Sequence, residues 1–125
     1  METKKKTAEE IQDVLDCFVG TFGYHTHQLG NQKLLLTDGC DYVRREAQAF
    51  WLFDLILSHQ MSKSIQEIHH QVWKLKKQPD ETWLMNCEDG NKNLILSQKI
   101  EFSDFPLPEI SIWVLDGVAL LPSEY

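Results

Sequence analysis

The run from Tyr42 to Leu57 decides what this chain can fold into. Tyr42, Val43, Ala47, Ala49, Phe50, Trp51, Leu52, Phe53, Leu55, Ile56 and Leu57 leave almost no side of a helix free of apolar groups. A surface helix has one apolar stripe and a polar back, so a helix apolar nearly all round must be covered on more than one side. The pattern predicts a central, buried helix that starts at Asp38 or Asp41, either of which can cap it, and runs to about Met61. Its richest stretch, Ala47 to Leu57, contains Asp54 and falls short of the ~18 residues that a membrane span needs, so no membrane role is expected.

The flanking segments supply what covers that helix. Thr7-Ala-Glu-Glu10 is a capping box, in which the threonine oxygen takes an orphan helix amide and Glu10 reaches back. Behind it Ile11, Val14, Leu15, Phe18 and Val19 fall on one helical stripe, which predicts a helix from about Thr7 to Val19 stopped by Gly20. Residues 20–32 read as a glycine-rich loop and Lys33 to Thr37 as a short strand. Ser62 to Glu67 is polar and reads as a connection. Alternation then marks strands around Trp73 and Leu75, around Trp83, Met85 and Cys87, and along Leu94, Leu96, Ile100 and Phe102, where Gln98 is the one polar member. A last alternation covers Ile110, Ile112 and Val114. Pro79-Asp80, Asp89-Gly90 and Asp116-Gly117 supply turns, the last two with tight-hairpin chemistry. Helices first and strands afterwards predict an α+β fold: two N-terminal helices, the second central and buried, packed on an antiparallel sheet of about four to six strands. Residues 1–125 suit one domain, with 1–6 as a flexible basic tail.

Composition narrows the function classes. The chain is 42% hydrophobic and 25% charged, which fits an ordinary globular protein. Net charge is −7, and beyond residue 6 nine basic residues face eighteen acidic ones. Between Thr7 and Gln32 lie Glu9, Glu10, Asp13 and Asp16 and no base. From Ile100 onward lie Glu101, Asp104, Glu109, Asp116 and Glu124, again with no base. Arg44, Arg45, Lys74, Lys76 and Lys77 collect in the middle. A phosphate backbone requires a broad positive surface, so direct nucleic-acid binding is not expected, whereas a basic protein partner would suit the acidic ends. Cys17, Cys40 and Cys87 show no paired spacing and read as free thiols of a reducing, cytoplasmic compartment. No apolar segment follows the N-terminal lysines, so no signal peptide is expected.

Two constellations could carry chemistry. His25-x-His27 puts two imidazoles on one side of an extended backbone, which can chelate, although a metal site needs more ligands and only Asp38, Cys40 or Asp41 could join. No metal is assigned. Asp54 sits in the most apolar helix, where a carboxylate must pair or shift its pKa upward. His59 is five residues on, about 140° round the helix, and is poorly placed to pair with it. His27, Tyr24 or a tryptophan N–H is the better partner. The catalytic candidates are therefore His27, Asp54, Asp38 and Tyr24, with His27 as base, Asp54 orienting it and Asp38 at a helix start. Trp51, Trp73, Trp83 and Trp113 fit core packing or a pocket lining. Phosphate loops, nucleophile elbows, zincin motifs and zinc fingers are absent, and no cofactor is expected.

Gly20-Thr21 leading to Tyr24 and His27, then Thr37-Asp38-Gly39 with Tyr42, Ala47, Trp51-Leu52 and Asp54, form a recognisable pattern. It continues through Gln71-Val72-Trp73-Lys74-Leu75, Asp89-Gly90-Asn91, Asp104-Phe105-Pro106-Leu107 and Leu120-Leu121-Pro122-Ser123-Glu124-Tyr125. From Ile11 to Tyr125 the chain resembles an uncharacterised family of small bacterial proteins, a domain of unknown function. The resemblance implies a bacterial source and a setting often near plasmid or phage genes. It implies no activity. His25 stands where the pattern has an aromatic residue, which leaves His27 as the histidine of interest.

Two functions are open at this point. One is a non-catalytic protein-binding or regulatory module that meets a basic partner through its acidic surface. The other is a small enzyme or ligand-binding domain built by the 20–32 loop against the second helix. A homodimer through the apolar strand Val114 to Leu121, taken as a sheet edge, is compatible with either.

Overall fold

The computed structural model describes residues 6–125, and all of the expected basic tail at 1–6 except Lys6 lies outside them. Lys6 sits with its ammonium 5.3 Å from the centre of the Tyr42 ring.

The first helix, α1, is Ala8–Leu15. Its capping box is present, with Glu10 N–H donating to Thr7 Oγ1 at 3.1 Å and Thr7 N–H to Glu10 Oε1 at 3.2 Å. It buries Ile11 and Leu15 and ends one turn earlier than its stripe predicts. Val19 lies outside the helix and is exposed.

The glycine-rich segment is not a loop throughout. Tyr24–Leu29 is strand β1, paired antiparallel with β2, Gln32–Thr37, across a turn at Gly30 and Asn31. The glycines mark the ends of this hairpin, and Gly30 takes a positive φ of 59° that favours glycine.

The long central helix is also corrected. It is two helices, α2 (Asp38–Glu46) and α3 (Phe50–His59). The break at Ala47–Ala49 turns on Gln48, whose φ is +52°. Neither Asp38 nor Asp41 caps α2; Thr37 does, accepting from Cys40 N–H. In α3, Leu52, Phe53, Ile56 and Leu57 are buried, but Phe50 is exposed and Trp51, Asp54 and Leu55 are half-buried. The helix is covered on its sheet side and flanks, not all round. A short helix, α4 (Lys63–Gln66), occupies the expected connection.

Strands β3 (His70–Lys77), β4 (Trp83–Glu88), β5 (Leu94–Ile100), β6 (Glu109–Leu115) and β7 (Val118–Leu120) complete one seven-stranded sheet. Its order is β1-β2-β7-β6-β3-β4-β5, antiparallel except for the β2–β7 pair. The α+β class holds, with more helices and strands than expected. The β6–β7 hairpin turns on Asp116 (φ 50°) and Gly117 (φ 82°), the two positive φ values of a tight I′ turn. The β4–β5 connection is wider than its Asp-Gly pair predicts. The Asp89 carboxylate accepts from Asn91 N–H, Asn93 N–H and Asn93 Nδ2 and organises a longer loop. The apolar strand expected at an edge lies inside the sheet, and the edges are β1 and β5.

Register places Leu34 and Leu36, Ala119, Ile112 and Val114, Trp73 and Leu75, and Met85 and Cys87 on the side facing the helices, where all are buried. Gln98, the polar interruption in β5, faces the same way and bonds His59 Nε2 at 2.9 Å. The C-terminal segment closes the fold. Glu124 accepts from Thr37 Oγ1 (2.6 Å), Gly39 N–H (3.0 Å) and Leu121 N–H (2.9 Å). A carboxylate thus sits at the positive N-terminus of α2. A Cβ on Gly39 would stand 2.6 Å from Glu124 Oε1 and from Leu121 Cδ1, so any larger residue must push these two side-chain ends aside.

Candidate functional site

Strand β1 points His25 and His27 to the helix side, because their register partners are Leu36 and Leu34. His27 is buried, with its ring between Phe50 and Phe53 at centroid distances of 6.3 and 5.9 Å. Nε2 lies 2.7 Å from Asp54 Oδ1, and Nδ1 lies 3.2 Å from Arg44 Nη1. A guanidinium has only donors. Nδ1 therefore accepts from Arg44, and the ring proton sits on Nε2 and is donated to Asp54. Arg44 Nη1 also donates to the Thr26 carbonyl at 3.3 Å, and Nη2 to Asp41 Oδ1 at 2.6 Å.

Asp41 is the hub of the next layer. It is buried and accepts from Arg44 on one oxygen and from Arg45 Nε (2.8 Å) on the other. Burial pushes its pKa up, but the two guanidiniums outweigh this and leave it below the usual carboxylate range. His25 reaches Asp41 Oδ2 with Nδ1 at 3.6 Å and Asp38 Oδ1 with Nε2 at 2.9 Å. Asp38 also accepts from Phe22 N–H at 2.9 Å, and that backbone bond, followed by His25, holds its pKa low. Asp38, His25, Asp41, Arg44, His27 and Asp54 form one continuous polar row that ties β1 to α2 and α3.

The four predicted site residues are not one constellation. His27 and Asp54 meet. Asp38 pairs with His25 instead, and Tyr24 is exposed on the opposite face of β1. Asp54 is not sealed in the core: its side chain is 45% exposed. Asp41, expected only as a helix cap or a metal ligand, and Arg44, expected only as part of a basic cluster, hold the row together. Their i, i+3 spacing was the available signal. No group of three or more His, Cys, Asp or Glu suited to a metal occurs among the described residues. Trp73 and Trp83 are core residues, and Trp51 and Trp83 meet Phe105 edge-on. Cys40 and Cys87 are buried, and burial pushes the Cys87 thiol up to about 12 and Cys40 further still; neither is a poised nucleophile.

A general base needs a free lone pair within reach of substrate. The His27 lone pair is occupied by a guanidinium, and the ring is only 4% exposed. Neither the cleft of about 660 Å³ between α1, β6 and the C-terminal turn nor the hollow of about 370 Å³ beside Asp38 is lined by His27 or Asp54. The arrangement does structural work: it locks an edge strand onto two helices.

The acidic surface is laid out more simply. Glu9, Asp13 and Asp16 fall at i, i+4 and i+7 on α1 and form one exposed stripe. None of them pairs with a cation among the described residues; Asp16 accepts only from Gln12 Nε2, at 2.8 Å.

The model of a family of unknown function (DUF6876) matches residues 9–125. No curated protein and no solved structure matches the chain.

Proposed function

We propose a function for this chain from a bare premise: it belongs to a family of unknown function, DUF6876, which hands down no activity. The reading that its geometry supports best is a non-catalytic cytoplasmic module that binds a basic protein surface through α1. The carrying observation is the stripe of Glu9, Asp13 and Asp16, three exposed carboxylates in a row without a compensating cation among the described residues. Such a row steers and orients a positively charged partner. The engaged lone pair of His27 speaks against acid–base catalysis at the one other candidate site. The plasmid or phage setting implied by the resemblance fits an inhibitor of a nucleic-acid-binding host protein, with carboxylates standing in for phosphates.

Fluorescence anisotropy with a labelled all-lysine peptide tests this. Binding should weaken about tenfold or more from low to physiological salt, because exposed charge pairs are screened beyond a Debye length. The triple variant Glu9→Gln, Asp13→Asn, Asp16→Asn should lose it. Salt-insensitive binding, or binding unchanged in that variant, removes the reading.

A further inference from the structure

The cleft of about 660 Å³ has a property that its lining residues alone do not reveal. It runs along the first half of β6, where that strand has a neighbour on one side only. Lys77 N–H donates to the Pro108 carbonyl at 2.9 Å, so in the β3–β6 ladder the even-numbered residues of β6 bond to β3. By alternation, Glu109, Ser111, Trp113 and Leu115 turn their amides and carbonyls the other way. Trp113 and Leu115 meet Leu120 and Val118 of β7. The residue that would meet Ser111 in the same register is Pro122, which has no N–H. The chain leaves the sheet there in a single 3-10 turn, Pro122–Glu124. The N–H and C=O of Ser111 and of Glu109 are left facing the cleft without a strand.

We propose that this cleft takes an extended peptide segment that continues β7 and pairs antiparallel with Glu109–Ser111. Strand addition supplies main-chain bonds, and alternate side chains supply specificity. A residue opposite Ile110 points to the helix side, where Leu15 and Leu121 line the cleft. That position calls for Leu, Ile or Val. The residue opposite Glu109 lies on the open face beside that exposed carboxylate, with Asp16 of the acidic stripe also lining the cleft. That position calls for Lys or Arg. Lys74 and Lys76 of β3 also line the cleft, and Lys76 is the register partner of Glu109 on its β3 side, so the added residue would flank that carboxylate from the other side. Read in its own direction, the bound segment is polar, apolar, basic. The inference rests on the reading of a basic protein partner and adds where that partner's chain sits and what pattern it has.

The probe is the peptide acetyl-Thr-Leu-Lys-Lys-amide, titrated into the full ¹⁵N-labelled chain. The Ser111 amide should exchange fast with solvent in the free chain and become protected on binding, with shifts concentrated at Glu109, Ser111 and Leu121. Methylating the peptide's threonine nitrogen removes the donor to the Ser111 carbonyl and should weaken binding about tenfold, the worth of one hydrogen bond. Ser111→Pro should do the same from the protein side, since its N–H is not in the β3 ladder; the methylated peptide gives the answer should that variant not fold. A peptide that binds at α1 alone, indifferent to methylation, overturns the strand pairing and leaves the basic-partner reading standing. A peptide that does not bind at low salt overturns both.

Discussion

His25 and His27 sit two residues apart on one strand and face the same helices, yet they live in different chemistry. His25 is half-exposed, and both of its nitrogens look at carboxylates, Asp38 and Asp41. His27 is buried, with a carboxylate at one nitrogen and a guanidinium at the other. The difference comes from α2. One turn after Asp41, Arg44 reaches over β1 and stands between Asp41 and His27. The spacing of two histidines along a strand thus says little about their roles. Which helical side chain arrives at each ring nitrogen decides them.

The strongest way to break this contrast is to remove its hub. Asp41→Ala strips Arg44 and His25 of a shared partner and leaves a mostly buried guanidinium with less compensation. The expected loss is about 3–5 kcal/mol in urea unfolding, the usual consequence of breaking a buried pair. A loss under about 1 kcal/mol would show that Arg44 does not depend on it. Next come the histidines themselves. His27→Ala should cost about 2–3 kcal/mol, because it removes buried packing and leaves Arg44 facing a void. His25→Ala should cost less than about 1 kcal/mol, as expected for a half-exposed polar contact. Equal costs would erase the distinction.

Acid titration sharpens the same contrast. The pKa values of Asp38 and Asp41 are both lowered in the folded chain. Groups depressed in this way stabilise the fold above their unfolded pKa, near 4, and lose that contribution as pH falls toward the folded value. The wild-type chain should therefore lose stability progressively below about pH 4, and Asp38→Asn should flatten that slope. An unchanged slope would mean that Asp38 contributes nothing there. The gentlest test changes no atom. Long-range ¹⁵N–¹H NMR should find the His27 proton on Nε2 with Nδ1 bare; a proton on Nδ1 would exclude the Arg44 contact.

Much of the scaffold was legible in the sequence. The Thr7–Glu10 cap, the alternation through Trp73 and Leu75 and the Asp116-Gly117 turn each depend on near neighbours, and each is present. What escaped depends on distant ones. Nothing in Arg-Glu-Ala-Gln-Ala-Phe announces a helix break: there is no glycine and no proline. Gln48 adopts a left-handed conformation between Ala47 and Ala49, both buried, so the break accompanies tertiary packing that no local residue type signals. The strand at Tyr24–Leu29 was obscured by its flanking glycines and polar residues, since an edge strand need not be apolar. His27 and Asp54 were nominated as a pair by elimination, and they do touch. The carboxylate is half in water, however, and the arginine that decides the imidazole's role lay in a helix read as apolar nearly all round, where it was counted only as part of a basic cluster.

The grip of Glu124 on Thr37 and Gly39 bears on how the molecule comes into being. A ribosome makes β1 and β2 early and β7 late, yet β7 is the strand that joins that first hairpin to the other four. Until Val118–Leu120 emerges, the N-terminal hairpin and the four strands β3–β6 have no common ladder. Until Glu124 emerges, the start of α2 lacks its anion. Contacts this distant along the chain slow folding and leave apolar strand edges open meanwhile. Nascent chains stalled before residue 118 should therefore be protease-sensitive across both halves, and those that expose residue 125 should be protected as one unit.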